Sequence, residues 1–255
     1  MAFKEKYKIT TQYLTTGTKR RSGKLIAPSV KFVVAHDTGN PNSTAVGNIK
    51  YYENTKDVDY ASAHIFVDDK NIIECISAVV SDKPEKAWHV IYDKPKDNEL
   101  FGFDANDAAI GVEYCYGNNI NADEAYRRYL WVIAYICHKF GLDPAVSITG
   151  HCILDPGRKT DPKTGLAHSN RTYEHLLKDI VSEYNECTKE EAPQPKPVDV
   201  VNVLEKQENP QNIKIEAETV KPEANPLPTP KTPFSNKGIT NFLNFILNFI
   251  KNWKK

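Results

Sequence analysis

The chain has 255 residues, and its 33 basic side chains are balanced by 33 acidic ones. That length suits one substantial domain with an appendage, or two small domains. Without a net positive charge the composition gives no support to a general nucleic-acid-binding role, so we expect no nucleic-acid partner. The first residues hold no apolar run of signal-peptide length, and no segment offers the roughly 20 apolar residues that cross a bilayer. We therefore expect a protein made in the cytoplasm.

The cysteines are odd in number, widely spaced and set mostly in apolar runs. They are Cys75, Cys115, Cys137, Cys152 and Cys187. No CxxC pair occurs, which argues against a thiolate zinc knuckle. The pattern predicts reduced cysteines in the core.

The composition changes sharply near residue 187. Nine of the sixteen prolines lie between Pro193 and Pro233, where large apolar residues are few and helix is blocked. We therefore predict a folded domain over 1–187, an extended and largely disordered linker over 188–237, and a C-terminal helix over 238–255.

Residues 1–187 predict an α/β fold in which helices flank a central mixed sheet. Apolar runs bounded by turn residues predict, in chain order, strands over 31–36, 63–69, 71–77, 108–117 and 145–151. The short turn between 63–69 and 71–77 predicts a hairpin. Helical spacing predicts a helix over 123–140, which ends at Gly141, and a last helix over 172–184.

Polar residues at the ends of two predicted strands form the candidate site. His36 and His151 each end a strand, and Asp161 follows ten residues after His151 in the next loop. Strand ends face the cleft in which α/β proteins place ligands. Two imidazoles and one carboxylate would leave a fourth zinc position open for water. A single strand-end histidine is more often structural, so position alone leaves both interpretations open.

Five motifs, in chain order, resemble those of the amidase-2 superfamily, which contains bacterial and phage N-acetylmuramoyl-L-alanine amidases and the peptidoglycan recognition proteins. They are VVAHDTGNP, ASAHIFVDD, KAWHV, AAIGVEYCYG and ITGHCILDPGRKTDP. The resemblance covers about residues 25–185 and is greatest to phage lysins that act on Gram-positive cell walls. The last motif is the most specific, because its His, Lys and Asp stand at fixed offsets.

The resemblance implies a catalytic domain that holds one Zn²⁺ through His36, His151 and Asp161. Glu113 matches the catalytic glutamate of the branch that uses one, and Lys159 matches a lysine in the cleft near the metal. On the residues alone, Glu113 would be an exposed strand-end carboxylate and Lys159 a solvated loop cation.

Three further residues are candidates for contact with substrate. Trp88 and His89 resemble the Trp-His pair that borders the substrate cleft in relatives, and Trp88 could stack on a sugar face. His64 lies within a predicted strand, where it is either a core residue or a substrate contact.

Two departures from the family pattern affect the expected chemistry. Ala63 stands where some relatives carry a catalytic tyrosine, so the proton-transfer role falls to Glu113. Lys163 stands where a glycine is common after the third ligand. Because glycine permits φ > 0 and lysine does not do so cheaply, we expect the turn after Asp161 to differ from that of relatives.

The implied function is that of an endolysin-like hydrolase, which cleaves the amide bond between N-acetylmuramic acid and L-alanine in peptidoglycan. It would act at the cell wall after release from the host cytoplasm, through a holin or as a prophage or particle-associated enzyme. Two alternatives stay open: a non-catalytic peptidoglycan-binding module, and a membrane-active lysis protein with a vestigial enzyme. Host range and oligomeric state are left open.

The C-terminal residues 239–255 predict an amphipathic helix with a basic end. Three interpretations compete: binding to an anionic membrane or cell envelope, self-association through the apolar face, and docking on the amidase domain.

Overall fold

The predicted apolar runs lie in one six-stranded sheet. The computed structural model describes residues 2–189, so the predicted C-terminal helix and all but the start of the predicted linker lie outside the described residues. The strands are β1 (Ile9–Thr11), β2 (Phe32–Asp37), β3 (Ile65–Val67), β4 (Ile72–Glu74), β5 (Ala109–Tyr114) and β6 (Ile148–Gly150). The helices are α1 (Ala45–Asn54), α2 (Pro95–Phe101), α3 (Ala105–Ala108), α4 (Ala122–Phe140), α5 (His151–Leu154), α6 (Lys163–Ala167) and α7 (Tyr173–Thr188).

The strand order in the sheet is β1-β4-β3-β5-β2-β6. Neighbouring strands are parallel, except that β3 and β4 form the predicted antiparallel hairpin. All six residues of β2 are buried, and five of the six in β5. Such continuous burial is typical of central parallel strands that are covered on both faces. The predicted mixed α/β fold is confirmed.

One face of the sheet is covered by α4 and α7. The side chain of Asn121 caps α4 by accepting the Glu124 N–H, and the helix ends at Gly141, whose φ of 65° places it in the left-handed region. The Tyr129 hydroxyl of α4 donates to the main-chain oxygen of His36 at 2.9 Å. The helix that packs on the sheet therefore also fixes the end of β2.

The other face is covered by α1, α2 and α3, which leave a gap over the ends of the central strands. Phe32 of β2 stacks on Phe101 of α2, with ring centroids 4.0 Å apart and an interplanar angle of 8°. Phe66 of β3 meets Tyr52 of α1 edge to face, with centroids 5.2 Å apart. Between these contacts the carboxyl ends of β2, β5 and β6 line an open cleft.

Several short elements were not predicted from the sequence: strand β1 and the helices α1, α2, α3, α5 and α6. Helix α1 is the longest of them; its first turn is capped by Thr44, and the distant Asp68 carboxylate accepts the Ala45 N–H at 2.9 Å. The strand expected over 145–151 is shorter, because β6 ends at Gly150 and His151 already opens α5.

The cysteines are all buried and free, as predicted. Burial raises the pKa of the Cys137 thiol to about 12 and that of Cys152 to about 11. Buried thiols of this kind stay protonated and behave as small apolar side chains.

Candidate metal centre and active-site cleft

His36 and His151 are brought together by the register of two adjacent strands. Strands β2 and β6 are parallel, with Ala35 opposite Gly150, so His36 at the end of β2 lies beside His151, the first residue after β6. The two imidazole rings meet edge to face, with centroids 4.8 Å apart. Both side chains are almost completely buried.

Asp161 reaches the same point from the loop after α5. Its Oδ2 atom lies 2.8 Å from Nδ1 of His36 and 3.1 Å from Nδ1 of His151. The main-chain oxygen of Asp161 accepts the Cys152 N–H at 2.8 Å, which ties the loop back to α5. The predicted triad is therefore one cluster, whose ligand atoms all lie within 4.8 Å of one another. Cys152 does not belong to it.

The turn after Asp161 does not strain Lys163. This lysine lies in the first turn of α6, and among residues 2–189 the non-glycine residues with positive φ are Asn42, Asp93 and Asn170. The backbone at Lys163 therefore does not need the left-handed region that would favour glycine. That this turn differs from the turn of relatives stays a prediction.

The donor set and its protonation fit a divalent transition metal. Ligand atoms that share a tetrahedral zinc lie roughly 3.3 Å apart, close to the separations seen here. Burial lowers the pKa of His36 to about 4. Burial acts to raise the pKa of Asp161, but hydrogen bonds from His151 and His36 hold it well below its ordinary value. The His36 imidazole is thus neutral and the Asp161 carboxylate ionised, as metal ligands must be.

His89 contacts the ring nitrogen of His36 that does not face Asp161. Its Nδ1 atom lies 3.0 Å from Nε2 of His36, so the two rings share a hydrogen bond when Nδ1 of His36 faces the ligand cluster. The ring packs directly on Gly111, where an added Cβ would lie 2.8 Å from Cγ of His89. His89 therefore orients the His36 ring, and it also lines the cleft.

His64 is placed differently from the expectation of a substrate contact. It is fully buried, its Nε2 donates to the Glu85 main-chain oxygen at 2.8 Å, and its Nδ1 accepts the Gly111 N–H at 3.0 Å. Both ring nitrogens are thus engaged with backbone. The predicted contact of His64 with substrate is not supported, because no free polar atom remains to make it.

Glu113 lies next to the ligand cluster on the same face of the sheet. It is the register partner of His36 on β5, so both side chains point into the cleft. Its Oε2 atom is buried and has no hydrogen-bond partner among the described residues. Burial, followed by the charges of Asp161 and Asp37, raises the pKa of Glu113 well above its ordinary value. A carboxyl group in this state can accept and return a proton near neutral pH.

The cleft has two connected parts. The ligand cavity, of about 490 Å³, contains the cluster and Glu113. The apolar arm, of about 530 Å³, is lined by Tyr60, Trp88, Ile91 and Tyr92 among others. The residues common to both linings are Ala61, Trp88, His89, His151, Arg158 and Lys159. Lys159 makes no ion pair with any residue in 2–189.

Size alone does not identify this cleft. A larger cavity, of about 700 Å³, lies between the segment before β1 and helix α4, and Trp131 and Tyr135 are among its lining residues. None of the predicted site residues lines it. The ligand cluster, Glu113 and Lys159 line the ligand cavity instead.

Tyr52 and Arg158 are among the cleft residues that were not singled out from the sequence. Tyr52 lines the ligand cavity from α1, the helix that was itself not predicted. Arg158 lies inside the last motif, next to Lys159, and its Nε donates to the buried Asp155 carboxylate at 2.7 Å. The sequence did contain a signal for Arg158, because it stands next to Lys159, the lysine that the last motif predicts in the cleft.

The fold and the cleft together define a class: an α/β protein with a His-His-Asp centre that could bind a metal and a buried carboxyl group beside it. Residues 27–164, more than half of the chain, match the family described as N-acetylmuramoyl-L-alanine amidase. The chain therefore belongs to the N-acetylmuramoyl-L-alanine amidase family.

Individual relatives agree with this assignment. The N-acetylmuramoyl-L-alanine amidase BlyA of Bacillus subtilis (strain 168) is 32% identical over 171 residues, which cover 64% of this chain and 44% of BlyA. The chain thus spans less than half the length of that relative.

Solved structures show the same fold. The catalytic domain of XlyA superposes with a TM-score of 0.54 at 20% identity, over 68% of this chain and 99% of that domain. The hydrolase AmiA of Staphylococcus aureus, solved in complex with its ligand, gives a TM-score of 0.54 at 23% identity, over 71% and 85% of the two chains.

Proposed function

We propose that this chain is an endolysin-like enzyme that hydrolyses the amide bond between N-acetylmuramic acid and L-alanine in peptidoglycan. The observation that carries the proposal is the convergence of the ligand atoms of His36, His151 and Asp161 beside a buried, unpaired oxygen of Glu113. Membership of the amidase family and the similarity to BlyA support this substrate.

We propose that the three ligands hold one Zn²⁺, because two imidazoles and one carboxylate suit zinc. Zinc in such a site supplies a Lewis acid and lowers the pKa of bound water towards about 7. His89 holds His36 in the orientation that presents its Nδ1, since its own Nδ1 lies 3.0 Å from the other ring nitrogen.

Glu113 and Lys159 carry the proton transfer and the charge stabilisation in this proposal. Glu113 takes the proton of the attacking water and returns it to the leaving amine, a role that its raised pKa suits. The Lys159 ammonium, free of ion pairs among residues 2–189 and in the wall of the cleft, stabilises the negative charge that develops on the scissile carbonyl oxygen.

Trp88 and His89 are the proposed substrate contacts, since both line the ligand cavity and the apolar arm. The Trp88 indole lies beside Tyr92, with ring centroids 5.9 Å apart, and together they form an aromatic wall for a sugar or peptide face.

The test is digestion of purified Gram-positive cell walls with and without a chelator, followed by mass spectrometry of the new ends. We expect new free alanine amines that disappear on chelation and return with added Zn²⁺. Glu113→Gln should retain zinc by elemental analysis and lose roughly 10²–10³-fold or more in turnover. New reducing sugar ends would identify a glycosidase and refute the proposal.

The same digestion decides against the alternatives. A non-catalytic peptidoglycan-binding module would bind walls and release no amines. A membrane-active lysis protein would still lyse cells after His36→Ala, whereas the proposed amidase would not.

The site of action is proposed from a relative of known role. A neighbour in structure is described as an endolysin from Bacillus subtilis, and we propose that this chain likewise acts on the wall after release from the host cytoplasm, through a holin or a phage particle. Within residues 2–189 no helix has the length and apolar character of a membrane span. Binding of 239–255 to an anionic membrane stays a prediction, which co-sedimentation of the full chain and a chain shortened at residue 238 with anionic vesicles would test.

A further inference from the structure

The two parts of the cleft differ in charge. The lining of the ligand cavity includes three carboxylates, those of Asp37, Glu113 and Asp161. The lining of the apolar arm includes no carboxylate, and the cations Arg158 and Lys159 line both parts, so only the arm has cations without carboxylates in its wall. A ligand that fills the whole cleft would therefore place any negative charge in the arm, away from the carboxylates.

The Arg158 guanidinium is held in place and still accessible. Its Nε donates to Oδ2 of Asp155 at 2.7 Å, its Nη2 also contacts that oxygen, and Oδ1 of Asp155 accepts from Nζ of Lys94 at 3.0 Å. Asp155 is almost completely buried, whereas the Arg158 side chain is 47% exposed. Two cations share one carboxylate, so this group has a net charge of +1, and Arg158 is its member in the lining of the arm.

The substrate of the proposed function also has its negative charges on one side of the scissile amide. Its glycan strand has no carboxylate once the lactyl group is joined to the peptide, whereas the stem peptide carries carboxylates. The residue after L-alanine is D-glutamate linked through its side chain, and its α-carboxyl group is either free or amidated. One residue spans at most about 3.6 Å, so this group lies within roughly two residue lengths of the scissile amide.

We propose that the apolar arm binds the stem peptide and that Arg158 recognises the free α-carboxylate of its second residue. This inference rests on the proposed amidase function. Tyr60, Ile91 and Tyr92, which are exposed large side chains in the arm, cover the apolar parts of the stem. The donors of Arg158 that Asp155 does not use, on Nη1 and the outer side of Nη2, supply the charge-assisted hydrogen bonds that a carboxylate accepts better than a neutral amide does. Lys159, one residue on, keeps its place at the scissile carbonyl.

The test uses two synthetic muramoyl tripeptides that differ only at the second residue, as α-carboxylate or α-carboxamide. We expect the zinc-loaded protein to cleave the carboxylate form with a kcat/KM about tenfold higher, as a charge-assisted contact at a half-exposed site allows. Arg158→Gln should lower kcat/KM for the carboxylate form about ten times more than for the carboxamide form. Arg158→Lys, which keeps the charge without the planar fork, should lie between.

The matched control is Lys163→Gln, which removes an exposed cation of α6 that lines neither part of the cleft. It should leave the ratio of the two substrates unchanged. As a readout other than turnover, calorimetry with Glu113→Gln should show about tenfold tighter binding of the carboxylate form, lost in the double variant with Arg158→Gln.

Equal cleavage of both substrates by the unaltered protein would overturn the inference, and so would an equal loss on both in Arg158→Gln. These results differ from failure of the proposed function, in which neither tripeptide is cleaved and walls release no alanine amines.

Discussion

Replacing Gly111 by alanine should weaken zinc binding although Gly111 contacts no ligand atom of the cluster. The new Cβ would lie 2.8 Å from Cγ and 2.9 Å from Nδ1 of His89. Ordinary carbon contacts need roughly 3.5–4.0 Å, so the ring must retreat or rotate by roughly 0.7 Å or more. Nδ1 of His89 lies 3.0 Å from Nε2 of His36 in the unaltered protein. Either movement lengthens this distance beyond hydrogen-bond range. Loss of such support typically costs about 10–100-fold in metal affinity.

The assay is competition for zinc with a chelator of known affinity, combined with urea unfolding of the metal-free protein. We expect Gly111→Ala to lose about 10–100-fold in zinc affinity and about 1–3 kcal/mol in stability from overpacking. His89→Ala should lose a similar factor in affinity. In the double variant the alanine methyl occupies the space of the missing ring, so the second substitution should cost little more. Unchanged zinc affinity in Gly111→Ala, or fully additive losses in the double variant, would refute the reasoning.

Three further predictions concern the charges and contacts of the cleft. Burial raises the pKa of Glu113 above 4.5, so ionising this side chain destabilises the fold as pH rises past that value. At pH 8 metal-free Glu113→Gln should therefore unfold at a higher urea concentration than the metal-free unaltered protein. Below about pH 4 the difference between the two should disappear. Burial lowers the pKa of His36 and His64 to about 4, so metal-free Glu113→Gln, in which the opposing titration of Glu113 is removed, should lose stability as pH falls from 6.5 to 4. A flat urea midpoint over that range would contradict this. The Asn106 side-chain oxygen accepts the N–H groups of His89 and Val90 at 2.9 and 3.0 Å. Asn106→Ala should therefore lower the free energy of unfolding by about 2–4 kcal/mol and should raise KM. An unchanged melting temperature would contradict this prediction.

The large elements of the fold could be predicted because their local signals agree with their environment. Helix α4 has a cap at Asn121, an apolar face of helical spacing and a terminal Gly141, and all three features are found where the sequence places them. The hairpin of β3 and β4 follows from two apolar runs around a short turn. In such segments local propensity and tertiary packing favour the same structure.

The small elements could not be predicted because distant residues stabilise them. Helix α1 contains Gly47, several polar residues and no acidic residue in its first turn, and it depends on Asp68 to accept a first-turn N–H. Strand β1 has only three residues and pairs with β4, more than sixty residues away. Neither contact can be predicted from the residues near it in the sequence.

The site was predicted from motif resemblance, and the sequence could not separate ligands from structural histidines. His64 and His36 both lie at or beside buried strands. The difference arises in the folded sheet, where the ring nitrogens of His64 meet the Gly111 N–H and the Glu85 carbonyl, and one nitrogen of His36 is left facing Asp161. Which backbone groups lie near a ring depends on strand register, and the local sequence does not contain that information.

The register of β2 accounts for most of the candidate site. On one side β5 places Glu113 opposite His36, and on the other β6 leads His151 to the same level. Neighbouring strands lie about 4.8 Å apart, so the proposed metal ligand and the proposed proton acceptor are held next to each other by backbone hydrogen bonds alone. A slip of one residue would turn these side chains to the opposite face, into the apolar layer under α4. Because Tyr129 of α4 bonds to the carbonyl of His36 itself, the packing of that helix opposes such a slip and couples the core to the site. Of the three proposed ligands only Asp161 depends on a loop, so the hydrogen bond from the Cys152 N–H to its main-chain oxygen is the contact that brings it to the two histidines.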